Sequence, residues 1–202
     1  MIINYQDDWN IREQFNGELM PDENIQWVGQ PDPNVIFSKS DILLIPFSLM
    51  WGGFAIFWEA TALSSTLSSK NFTTPDLIFP LFGIPFVLIG LYMIFGRFLH
   101  KKWKKQRTYY AVTDKRVLVL TKTLGSTIQA KSINNIETIT KSVGHDGNGS
   151  LIFGDTPNLS AFNNFSMDFM QFNQSNAPAF FDIKDANSVY ELVNRLKNQS
   201  NN

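Results

Sequence analysis

The sequence predicts a membrane-embedded helical hairpin followed by a mainly-β sandwich or barrel that a C-terminal helix closes. Three observations carry this. Residues 77–96, LIFPLFGIPFVLIGLYMIFG, run for twenty residues without a charged side chain, and a helix that long crosses the roughly 30 Å hydrocarbon core of a bilayer. RFLHKKWKKQR follows at 97–107, and its six basic side chains resist translocation. From residue 108 the pattern changes to short β-branched and aromatic runs, ending in one amphipathic helical stretch.

Whole-chain averages hide this organisation. The 202 residues carry 17% charged side chains and a formal net charge of -1, because two very apolar segments are averaged against a polar remainder. That balance gives no reason to expect a nucleic-acid partner. The chain has no cysteine, which excludes disulfides, thiolate metal sites and a cysteine nucleophile. The polar, acidic first forty residues do not read as a cleavable leader.

Residues 1–40 form a lead-in, a short helix or irregular segment punctuated by Pro21, Pro31 and Pro33. An uncharged run of seventeen residues follows at 42–58, between Asp41 and Glu59. Extended to Leu63, it is long enough to span. Its partner span covers 77–99, so the hairpin occupies 41–99 and a basic juxtamembrane segment occupies 100–107. The connecting loop at 63–76 holds Lys70 as its one basic residue, against six at 97–107. This asymmetry places both ends of the hairpin in the cytoplasm. Trp58 and Trp103 suit the interfaces, and Gly52, Gly53, Gly83 and Gly90 allow close helix approach.

The β domain is expected over 108–198, with 199–202 as a tail. TYYAVT and RVLVLTK are strands joined by a tight Asp114-Lys115 turn, and STIQAKSI and IETITKSV follow. GHDGNGS at 144–150 contains two hairpin signals and leads into SLIFG. The polar stretch 155–178, with Phe165, Met167 and Phe169 on one face, is either a strand or a long loop. FFDI precedes a helix in which Val189, Leu192, Val193 and Leu196 make one apolar stripe and Asp185 is the N-cap.

This order of parts resembles the bacterial membrane proteins that carry a pleckstrin-homology (PH)-like domain. The matching pieces are GELMPDENIQWVGQPDP, the two-span hairpin, QRTYYAVTDKRVLVL, INNIETI, the glycine turn before LIFG, and FFDIKDANSVYELVNRL. The stretch 155–178 departs from the pattern. The resemblance implies a non-enzymatic protein of the bacterial inner membrane with a PH-like fold. Its role would be that of a scaffold or interaction module at the cytoplasmic face, without a cofactor. A partner peptide would meet it along an open sheet edge or beside the last helix. The alternative is a reader of anionic lipid headgroups at the inner leaflet.

No residue pattern supports a reaction class. Ser-His-Asp, HExxH and phosphate-loop spacings are missing, and His100 and His145 have no partner at metal-ligand spacing. GHDGNG has strands on both sides, so it reads as a turn and not as a phosphate cradle. The four-residue TDKR offers Lys115 and Arg116 where phosphoinositide-binding PH domains use a long basic loop. Lys122, Lys131 and Lys141 read as separate solvated strand residues. The candidate anionic-lipid contacts are therefore Arg97, Lys101, Lys102, Lys104, Lys105 and Arg107. Asn71-Phe72-Thr73 is a glycosylation sequon explained by chance in an Asn-rich chain. Glu59, the acidic residue within the drawn spans, lies near an end, which speaks against a transport path.

Overall fold

The computed structural model describes residues 5–37, 41–68, 73, 77–144, 147–154 and 177–200. The chain divides into two compact units. One is built from the segments around 1–35 and 102–202, the other mainly from 36–101.

In the first unit, helix α1 (Tyr5–Glu13) and strand β1 (Ile25–Gly29) precede six strands: β2 (Thr108–Thr113), β3 (Arg116–Lys122), β4 (Ser126–Ser132), β5 (Ile139–Val143), β6 (Gly149–Phe153) and β7 (Ala179–Ile183). They form two antiparallel sheets, ordered β1-β2-β3-β4 and β5-β6-β7. Among the described residues no strand pairing closes them into a barrel.

Alternation along β2 and β3 explains the layering. Tyr110, Val112, Val117 and Val119 face the other sheet, with Leu151, Phe153, Phe180 and Ile183. The intervening Ala111, Leu118 and Leu120 face the opposite way, beneath Ile11 and Phe15 of the N-terminal segment. Both faces of β3 are therefore buried, which is why RVLVL reads as a continuous apolar run. The lead-in thus supplies an edge strand and a covering helix; Val28 of β1 is buried in that outer core. The predicted domain boundary at 108 leaves these elements out, because IQWVG is too short to stand out as a strand.

The C-terminal helix, numbered here α5 (Ala186–Ser200), is where the sequence places it. Asp185 caps it, accepting from the Ser188 N–H at 3.4 Å and the Ser188 hydroxyl at 2.7 Å. Its fully buried residues are Ala186, Val189 and Val193, while Leu192 and Leu196 pack on the flank of the core. The buried centre of the stripe is thus rotated away from the two leucines. The described part of the glycine-rich stretch joins antiparallel β5 and β6, with Gly144 N–H donating to Asn148 at 2.8 Å. His145, Asn71, Lys70 and nearly all of 155–178, including Phe165, Met167 and Phe169, lie outside the described residues.

In the second unit α2 (Asp41–Ser68) pairs with α3 (Ile78–Leu91), which continues through a π-helical turn at Tyr92–Gly96 into α4 (Arg97–Lys105). The continuous helix Ile78–Lys105 is long and apolar enough to cross a membrane, with mean hydropathy 2.3 over its most apolar eighteen residues. It extends past the span drawn at 99 because nothing from 97 to 105 breaks a helix. Contacts pair rising numbers on α2 with falling numbers on α3: Asp41 meets Arg97, Gly52 meets Gly90, and Glu59 lies at Gly83. The two helices are therefore antiparallel. A Cβ on Gly90 would lie 2.8 Å from the Gly52 Cα, so glycine is what permits the crossing. Three hydroxyls on α2 donate within the helix, Ser48 to the Ile45 carbonyl, Thr61 to Phe57 and Ser64 to Thr61.

Candidate functional site

Most charges of the predicted basic segment have partners within the chain. In the helical unit, Arg97 and Lys101 both lie on the Asp41 carboxylate, at 3.3 and 3.7 Å, and Asp41 is buried. Arg97 also sits 4.5 Å over the Phe98 ring, while two of its buried nitrogens have no hydrogen-bond partner among the described residues. In the β unit, Lys105 donates to the Asp182 carboxylate at 2.6 Å and to the carbonyls of Asp32 and Val35. Arg107 stacks on Trp103 at 4.7 Å. Among the described residues, only Lys102 and Lys104 of the six make no ion pair or ring contact.

The TDKR turn is equally committed. Arg116 holds the fully buried Glu23 carboxylate through two 2.8 Å bonds, and the Thr113 hydroxyl and Met20 N–H each add one at 2.7 Å. Burial alone would raise the Glu23 pKa, but these four donors overcome it and bring it down to about 2. Lys115 donates to the Pro21 carbonyl, and Asn24 exchanges hydrogen bonds with Asp114. The tight TDKR turn is a clasp that fastens the lead-in to the β2–β3 hairpin. The one legible hint is an acidic residue, Glu23, two positions before the short apolar run IQWVG.

Lys122, Lys131 and Lys141 share no pocket. Lys122 reaches Gln14, Lys141 reaches Asn187 and the Tyr190 ring on α5, and Lys131 lies across Gly154. Among the described residues no cluster of His, Asp or Glu could hold a metal ion. The depressions found are shallow surface features: one along the outer face of α5 at Glu191, Asn194 and Arg195, another between α1 and the lead-in beside exposed Trp9.

The strand with the most exposed residues is β4. It is an outer strand of its sheet, and its first five residues, Ser126–Ala130, are exposed. The opposite outer strand, β1, is half buried and clasped at its start by Asn24 and Asp114. Comparison of the chain with protein-family models, curated proteins and solved structures finds no match.

Proposed function

We propose that this chain is a non-enzymatic, two-span protein of the bacterial cytoplasmic membrane whose PH-like module holds a protein partner at the inner face by β-strand addition to β4. The observation that carries the partner mode is the open edge of β4. STIQAKS presents unpaired backbone groups among the described residues, with no proline, no bulge and one charge, Lys131. Proteins normally blunt such an edge unless it is used.

Two features support the membrane reading. Phe47, Phe54, Phe57, Phe79, Phe82 and Phe95 are exposed on the helical pair, an apolar surface suited to lipid and unsuited to water. The pairing of β1 with β2 also brings residues 25–29 beside 110–113. An even number of membrane crossings must therefore lie between them. With one crossing at helix 78–105, α2 is the segment available for the second, and the basic run keeps both ends inside. Headgroup recognition by 97–107 is the weaker reading, since four of its six cations are already engaged within the chain.

Photo-crosslinking residues placed singly from 126 to 132 test the partner mode in intact membranes. Strand addition predicts discrete protein adducts whose yield alternates with a period of two, as side chains do along a strand. A flat profile, or adducts confined to the outer face of α5, would overturn it.

A further inference from the structure

We propose that the β3–β4 hairpin tip is a second membrane contact, with Leu124 seated in the interfacial layer of the leaflet from which helix 78–105 emerges. Leu124 is the most exposed large apolar side chain among the described residues, at 101% of its reference area. The Thr123 N–H donates to the Gly125 carbonyl at 3.0 Å, which holds the leucine at the apex of a closed turn. A single exposed leucine is ordinary on a protein surface. Its position carries the argument.

The tip lies at the end of the sheet where the chain arrives from the apolar helix. Thr108 pairs with Thr121, and Lys122 N–H donates to the Arg107 carbonyl at 2.8 Å. The helix ends at Lys105, so two residues, Gln106 and Arg107, separate it from β2. The chain leading toward α2 leaves at this end too, since Gln30 donates to the Gln106 and Thr108 carbonyls. Lys102 and Lys104, which among the described residues make neither an ion pair nor a ring contact, precede this junction and match an anionic surface. The opposite end holds the Asp114–Lys115 turn, about 20 Å away along the strands. It is clasped to the acidic lead-in, and its exposed large apolar residues among those described, Met20 and Trp9, sit among the acidic side chains Glu13, Glu18, Asp22 and Glu23 and not at the apex of a turn. The occupant that fits an apolar apex at the sheet end where a basic helix terminus arrives is the bilayer interface.

The inference rests on the membrane-spanning reading, and the test separates the two. The chain has no native cysteine, so Leu124→Cys, Lys115→Cys and Leu88→Cys each give a unique labelling site. The full-length protein is placed in nanodiscs of phosphatidylcholine and phosphatidylglycerol, and each thiol carries an environment-sensitive fluorophore. Lipids spin-labelled at shallow or deep positions and aqueous iodide serve as quenchers. The expected result is deep-lipid quenching at 88, shallow-lipid quenching at 124 and iodide quenching at 115. A label at Thr123→Cys should lose its lipid quenching when Leu124→Asp is added, which excludes insertion driven by the dye. If position 124 behaves like 115 while 88 stays lipid-quenched, the tip contact is refuted and the spanning reading stands. If position 88 is quenched by iodide and not by lipid, both fall together.

Discussion

Glu23 and Arg116 make acid sensitivity a single-residue property. The carboxyl titrates near pH 2 in the folded chain against an ordinary value of 4.5. Its contribution is therefore complete above about pH 4.5 and is lost as pH falls toward 2. The shift corresponds to roughly 3 kcal/mol. Unfolding in detergent micelles should thus show a step of stability loss between those pH values, and Glu23→Gln should flatten it. Arg116→Met leaves the buried carboxylate without its cation and should cost about 3–5 kcal/mol at neutral pH. Arg116→Glu would therefore report on folding and not on lipid affinity. The sequence shows Arg116 but not its partner, which is 93 residues distant; spacing reveals neighbours on an element and says nothing about a clasp between distant segments.

Among the elements, legibility followed periodicity. The β2–β3 hairpin, α5 and its Asp185 cap were readable because each repeats a local pattern. The core between the two sheets centres on Phe180, whose ring packs on Tyr110 at 4.7 Å, Phe153 at 4.8 Å and Trp27 at 5.6 Å. Phe180→Ala should cost about 3–5 kcal/mol, read as a lowered denaturation midpoint, whereas Leu192→Ala should cost less because that side chain is half buried. The glycines of the helical pair give a graded expectation. Alanine at Gly90 meets Gly52 backbone, at Gly52 it meets the flexible end of Ile94, and at Gly53 it meets nothing within 4 Å. Thermal stability in detergent should fall most for Gly90→Ala, less for Gly52→Ala and not at all for Gly53→Ala. The sequence marked all four glycines but could not rank them, since close approach depends on helix rotation. β1 was not legible for a different reason: five residues with one buried side chain carry too little alternation to register.

For the molecule as a whole, the β unit is discontinuous in sequence. A fragment of residues 102–202 lacks the elements that cover Ala111, Leu118 and Leu120, so it should aggregate. Joining residues 1–35 to 102–202 through a flexible linker should restore a soluble, cooperatively melting domain. If 102–202 alone is monomeric and melts at the same temperature, the N-terminal segment is dispensable. A reporter fused after Asn202 should be active only in the cytoplasm, and one inserted at Lys70 only outside. An external C-terminus would overturn the orientation read from the basic run.

The pairing of β1 with β2 also sets an order of events during synthesis. Residues 25–29 leave the ribosome well before their partner strand, and at usual elongation rates the interval is on the order of ten seconds. During that wait the nascent amino-terminal segment has no sheet to join. If the intervening helices span the membrane as proposed, sheet completion comes only after the translocon has released them with their flanks on one side. A chain inserted with a single crossing would strand Ile25–Gly29 across the bilayer from its partner, leaving the Leu118 and Leu120 face bare. The finished domain would thus double as a receipt for correct insertion, and a misinserted chain would present the quality-control proteases with an unfolded cytoplasmic tail.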